Sequence, residues 1–121
     1  MARDRQKAEE TGRLAEIIAL SLLIAKGYRL LARRYRSVAG EVDLIMRRGD
    51  VTAFIEVKAR ATHDEAIASV TDYQARRIAA AAAHWMAQDS LSNNGPCRFD
   101  IVAVNSTLIP SHIENAFDGA Y

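Results

Sequence analysis

The stretch from Gly40 to Lys58, GEVDLIMRRGDVTAFIEVK, constrains the fold more than any other part of this chain. Gly49-Asp50 is a favoured two-residue hairpin loop of the kind with glycine first. With those residues as the loop, Arg48 faces Val51 and the pairing counts outward from there. Asp43 then lies opposite Glu56, and Glu41 opposite Lys58. Directly opposed side chains have Cβ atoms about 4.5–5.5 Å apart. Side chains alternate along a strand. Glu41 and Asp43 therefore share a face with Phe54, Glu56 and Lys58, while Val42, Leu44 and Met46 share the other with Ile55 and Val57. One face is apolar and belongs to a core; the other gathers three carboxylates and one ammonium.

That second face has a chemical use. Two carboxylates this close repel, and in a partly buried site one is pushed towards protonation. A divalent cation removes the repulsion. Magnesium takes oxygen ligands and is often held by one or two carboxylates plus waters and substrate phosphate. Lys58, on the same face, is placed to orient an attacking water or neutralise developing charge. The alternative is a solvated sheet face with cross-strand ion pairs, Glu41 to Lys58 among them.

A length of 121 residues suits one domain with its own core. Residues 1–60 hold 13 Lys/Arg and 8 Asp/Glu, whereas residues 61–121 hold 3 and 7, so the half with the hairpin is the one that attracts an anionic partner. A single cysteine, Cys97, excludes an intramolecular disulfide and fits a reduced, cytoplasmic setting. The N-terminus MARDRQKAEE lacks a signal-peptide apolar region. The longest apolar stretch, Ile17 to Ala25, is too short to span a membrane.

Along the chain, residues 5–26 read as a helix with Leu14, Ile17, Ile18, Leu22 and Ala25 at helical spacing and Gly27 as its stop. From Ile17 onward it is apolar nearly all round, so burial on more than one side is expected. Glu16 shares a row with Leu20 and Leu23 and points inward, either as a satisfied core group bonded to an arginine or as part of a site. Tyr28 to Arg36 reads as an arginine-rich strand suited to an edge. Residues 59–70 show no firm pattern and read as a loop, with His63 exposed in it. Thr71 and Gln74 form a capping box for a helix to about Gln88, with Ile78, Ala82, Trp85 and Met86 as its core stripe. Ser90 to Pro96 reads as a loop. Arg98 to Asn105 reads as an interior strand and His112 to Phe117 as a last edge strand. This order predicts an α/β fold: one domain, a mixed β-sheet flanked by helices, with the second helix crossing over between parallel strands 51–58 and 98–105.

Residues Gly12 to Asn105 resemble the YraN-like family of small bacterial proteins, described as predicted endonucleases. That family is related to archaeal Holliday-junction resolvases and the wider PD-(D/E)XK nuclease superfamily. The matching pieces are Lys26-Gly27-Tyr28, Gly40-Glu41-Val42-Asp43-Leu44-Ile45, Phe54-Ile55-Glu56-Val57-Lys58-Ala59-Arg60 and Arg98-Phe99-Asp100-Ile101-Val102. The resemblance implies a restriction-endonuclease-like core with Asp43, Glu56 and the main-chain carbonyl of Val57 as ligands to magnesium or manganese. It implies Lys58 beside the attacking water, and it matches Glu16 to the family's first-helix glutamate. The departures are Ala15 where the family has glycine, Arg34 where it has asparagine, and Gln74 where a lysine is common. The glycine usual after the E-V-K-x-R segment is not evident around His63.

The function expected from residues and resemblance together is a metal-dependent DNA endonuclease acting on branched or otherwise unusual DNA. Arg36 and Arg60, close to the ends of the acidic motif, are the expected phosphate contacts. A nucleic-acid-binding module with the same fold and little or no turnover is the second reading. A structural or protein-interaction domain is the third. A homodimer is left open.

Overall fold

The computed structural model describes residues 2–89 and 95–118. Helix α1 (Ala2–Ala25) ends where Gly27 adopts a φ of +93°, a conformation glycine takes without a Cβ penalty. The Tyr28 amide then donates to the Leu23 carbonyl at 2.9 Å and the Gly27 amide to Ile24 at 3.0 Å, which satisfies the orphaned carbonyls of the last turn. The chain turns directly into β1 (Arg29–Arg36), the expected arginine-rich edge strand.

β1, β2 (Glu41–Arg48) and β3 (Val51–Ala59) form an antiparallel meander. The β2–β3 turn falls on Gly49-Asp50, with Gly49 at φ +62°, and Arg48 faces Val51. The register runs as counted through Met46 opposite Ala53 to Leu44 opposite Ile55. β4 (Cys97–Val104) lies parallel to β3, and β5 (Pro110–Ile113) pairs antiparallel with β4. The result is a five-stranded mixed sheet in the order β1-β2-β3-β4-β5.

The connection from β3 to β4 contains α2 (His63–Ala68) and α3 (Asp72–Gln88). α2 corrects the expected loop over 59–70. Thr62 caps it by accepting from the Glu65 amide at 3.1 Å, with Asp64 and Glu65 in its first turn. His63, its first residue, is exposed, as expected. The last strand is also displaced, covering Pro110–Ile113 rather than 112–117. The loop expected at 90–96 lies largely outside the described residues.

The sheet is covered on both faces. Leu44, Met46, Ile55, Val102 and Val104 pack on α1 through Ala15, Ala19 and Leu23. Ile45 and Phe54 pack on α3 through Ile78, Ala81 and Ala82, and Ile101 and Ala103 meet Ala66 of α2 on that same side. The α1 stripe is therefore not the expected one. Ile18 and Leu22 are partly buried against the sheet, but Leu14 and Ile17 stay exposed, because the small Ala15 and Ala19 let the helix approach the strands closely. Among the described residues no helix is long and apolar enough to cross a membrane.

Gly40 fixes where α3 sits. A Cβ at this position would lie 1.8 Å from the Arg77 carbonyl oxygen and 2.6 Å from its carbon. Only glycine lets the start of β2 touch the α3 backbone. Because backbone has no spare rotamer, Gly40→Ala must push α3 away. Such overpacking costs about 1–3 kcal/mol. We expect Gly40→Ala to lower the urea-unfolding free energy by roughly that amount, and an unchanged midpoint would contradict the close approach.

Candidate functional site

β2 and β3 part company just beyond Leu44 and Ile55, where the ladder stops. There Asp43 replaces a ladder bond with a side-chain one: its Oδ2 accepts from the Val57 amide at 2.8 Å. The irregularity also swings Val42 to the α3 side with Ile45 and Phe54, rather than to the side of Leu44 as strict alternation requires. Asp43 and Glu56 nevertheless line one cleft, with Gln74 and Tyr73 on its α3 side. The Glu41–Lys58 ion pair of the alternative, solvated-face reading does not form. Glu41 instead meets Arg36 at 3.4 Å, and Lys58 meets Glu56 at 3.3 Å.

Glu56 is 6% exposed. Its carboxyl is pushed up from 4.5 to about 8, first by burial, then by the Asp43 charge and the hydrogen bond with Asp43. The Lys58 ammonium acts the other way and is outweighed. A third partner was not legible in the sequence: Gln74 of α3 donates Nε2–H to Glu56 Oε2, and its Oε1 accepts from Lys58 Nζ at 3.2 Å. The capping box is thus only half made. Thr71 Oγ1 accepts from the Gln74 amide, but the Gln74 side chain turns to the carboxylate instead of back to Thr71.

Glu16 is buried and bonded to arginines, as the first alternative raised for it had it. Arg33 Nη2 and Arg34 Nε donate to its two oxygens at 3.2 and 3.3 Å. It also lines a cleft of about 400 Å³ with Asp43 and Val57, between α1 and the edge of the sheet. Successive strand residues normally point to opposite faces. Arg34 has φ +51°, which turns it to the same side as Arg33. Asparagine adopts that backbone more readily than arginine, in keeping with the asparagine found here in the resembled family; Arg34 accepts the strain and adds a second donor to Glu16. Arg36 lines the same cleft, and Arg60 lines a groove on the other flank of α1 with Lys58.

The oxygen donors suit a hard cation. Two carboxyls lining one cleft, with Glu56 pushed towards its neutral form by burial and by the Asp43 charge, form a pair at which a divalent ion could take the place of the Glu56 proton. Among the described residues no three His, Cys, Asp or Glu side chains gather around one point, so a cation here would rely on two carboxylates, main-chain oxygen and water.

A second buried carboxylate, Asp100 on β4, entered the sequence reading only within the matching segment Arg98-Phe99-Asp100-Ile101-Val102, with no role given to it. It is fully buried. Burial pushes its carboxyl up, but hydrogen bonds from His112, Arg98 and the Asn115 amide, with the Arg98 charge, outweigh that and hold it below the ordinary range. Arg98 Nε lies 2.8 Å from Oδ1 and His112 Nε2 lies 2.7 Å from Oδ2. This cluster ties β4 to β5 and, through Arg98 and Tyr28, to the end of α1.

The raised Glu56 carboxyl has a consequence for stability. Between about 4.5 and about 8 the folded chain keeps this proton and the unfolded chain does not. Stability from this group is therefore fully present below pH 4.5 and is lost as pH rises towards 8. We expect Glu56→Gln to remove that component, so that urea-unfolding curves of the metal-free variant and parent converge near pH 5 and the variant is the more stable at pH 8.5. A parent advantage at pH 8.5 would contradict it.

Comparison with known proteins places the chain. Residues 15–104 match the model of the family described as "Uncharacterised protein family UPF0102". Among similar proteins, one from Mesorhizobium japonicum is 47% identical over 95% of this chain and 92% of its own length. One from Maricaulis maris is 48% identical over 93% and 88%, and one from Rhodopseudomonas palustris 44% over 98% and 93%. All three carry the UPF0102 name. The matched segment contains Glu16, the hairpin with its paired carboxylates and the buried Asp100, and on that match the chain belongs to the UPF0102 family.

Proposed function

We propose that this protein is a magnesium-dependent DNA endonuclease, with manganese able to substitute, acting on branched or otherwise unusual DNA. The observation that carries the reading is that Asp43 and Glu56 line one cleft, with Glu56 buried and 3.3 Å from the Lys58 ammonium. Asp43, Glu56 and the main-chain carbonyl of Val57 would hold the cation. When bound, it supplies Lewis acidity at the phosphoryl oxygen and a more acidic water. The chain's own groups do the rest. The Val57 amide fixes the Asp43 carboxylate. Gln74 bridges Glu56 and Lys58, donating to the one and accepting from the other. Lys58 is the positive group that offsets charge growing on the phosphoryl oxygens as water adds to phosphorus and the bond to the departing sugar oxygen breaks. Glu16, held by Arg33 and Arg34, is assigned a positioning role on the wall of the same cleft. The resemblance to resolvase-related nucleases supports the same reading. A DNA-binding module with little turnover is the second reading, favoured by Gln74, a neutral side chain at the position where the resembled family commonly has a lysine.

Loss of the Glu56 proton must accompany metal binding. We expect magnesium affinity to rise by about tenfold per pH unit up to pH 8 and then level off, as read by calorimetric titration. Asp43→Asn should abolish the binding. Lys58→Ala should keep metal affinity within a few-fold while cutting metal-dependent cleavage by about 10²–10³. Absence of metal-dependent cleavage on every duplex, nicked, branched and single-stranded DNA tried would leave the second reading.

Arg36 and Arg60 are the proposed phosphate contacts, one on each flank of α1. Each phosphate neutralised on duplex DNA steepens the log–log salt dependence of binding by about 0.9, or about 0.7 on a single strand. The double variant Arg36→Ala, Arg60→Ala should therefore show a slope shallower by about 1.4–1.8 in anisotropy titrations, with magnesium affinity unchanged. An unaltered slope would remove both from the interface.

A further inference from the structure

The first helix of this protein stands clear of the sheet over its N-terminal half and packs on it only from Ala15 onward. Gly12 falls on the helical row of Ala15, Glu16, Ala19 and Leu23, the row buried against the strands. Yet a Cβ at Gly12 would meet no atom within 4 Å, and residues 2–14 are exposed. The helix stands clear of the sheet at this point.

A groove runs along each flank of the helix there. One is the cleft of about 400 Å³ holding Glu16 and Asp43, where acidic side chains outnumber basic ones. The other, about 590 Å³, is basic, with Lys7, Lys58 and Arg60 against Asp4. Gly12 and Val57 line both, so the grooves meet between the underside of α1 and the floor of β3. Beyond Asp43 the path continues into a third cleft, lined by Glu56 and by Tyr73 of α3. Tyr73 is 64% exposed, with the Arg77 guanidinium 5.8 Å from its ring centre.

These features fit one kind of ligand. A basic groove that tracks phosphates, joined to an exposed aromatic ring on which a base can stack, is how proteins hold single strands. The gap lies beneath a single helix and opposite a residue with no side chain. A single extended backbone needs far less room beneath a helix than a duplex does. Gly12 also costs the helix about 1 kcal/mol relative to alanine, and no packing contact accounts for its presence.

We infer that the strand crossing the site is unpaired: it passes beneath α1 between Gly12 and Val57, its phosphates on Lys7 and Arg60 and a base on Tyr73. The inference rests on the nuclease reading of the same carboxylates and names the form of DNA that reaches them.

The test measures binding, so that it does not depend on turnover. Anisotropy titrations compare a labelled single-stranded oligonucleotide with a blunt duplex of the same sequence, with calcium in place of magnesium. The parent binds the single strand about tenfold or more tightly. Gly12→Leu, which fills the gap and raises helix propensity, and Tyr73→Ala each weaken single-strand binding by about tenfold and leave duplex binding alone. Tyr73→Phe restores it, because the ring is kept. Equal affinity of the parent for both DNAs, or unchanged single-strand affinity in both variants, overturns the inference. A parent that cleaves blunt duplex with magnesium but shows no preference for the single strand keeps the nuclease reading and loses this one; a parent that neither binds nor cleaves either DNA removes both.

Discussion

The hydrogen bond from the Val57 amide to the Asp43 carboxylate is the interaction on which the site depends. Two antiparallel strands that stay paired keep their opposed side chains on a flat, regular face. Here the ladder ends at Leu44 and Ile55, and the amide that would otherwise need another acceptor is given a carboxylate oxygen. The bond fixes Asp43 at the mouth of the split, where it lines both the cleft under α1 and the one beside α3. It also leaves Glu56 facing a neighbour of like charge. The apolar core, with Ile45 and Phe54 fully buried next to the split, closes water out of one side.

The two buried carboxylates of the sheet show what that arrangement costs. Asp100 is the more deeply buried, but it receives an arginine, a histidine and a main-chain amide, and it stays ionised. A buried charge is tolerated when its hydrogen-bonding capacity is filled by positive or donating groups. Glu56 has one lysine and one amide donor, set against burial and a second carboxyl, and its proton is held to about pH 8. A structural site satisfies its charge from within the chain; the Glu56 site remains short of positive charge. That shortfall is the physical feature on which the proposal of a cation at the hairpin end, rather than at the Asp100 cluster, rests.

The position of α3 links the core to this chemistry. Gly40 lets the start of β2 rest on the α3 backbone at Arg77. Gln74, about one helical turn earlier, then reaches Glu56 and Lys58. A contact that looks purely steric therefore sets the hydrogen bonds of the site. On the opposite face, Ala15 and Ala19 bring α1 down onto the strands, while the helix at Gly12 stays clear of them.

What the sequence determined by itself was local and periodic. Gly49-Asp50 set the hairpin turn, and the turn set the register as far as Leu44 opposite Ile55, one residue short of Asp43 and Glu56, because a two-residue loop leaves no freedom in the count. Thr71 marked the start of α3, Gly27 the end of α1, and the apolar character of 98–105 an interior strand, each through a few neighbouring residues. Tertiary structure decided what depends on distant approach. The buried row of α1 could not be read from a helix apolar nearly all round, since no side of it is marked; the sheet selected Ala15, Ala19 and Leu23 for their fit. The partners of Glu16 came from a backbone irregularity at Arg34 on another strand. The turning of Gln74 towards Glu56, the clustering of Asp100 with His112 and Tyr28, and the end of the ladder at Leu44 all follow from segments brought together by packing, and alternation within a strand carries no information about where a neighbouring strand departs.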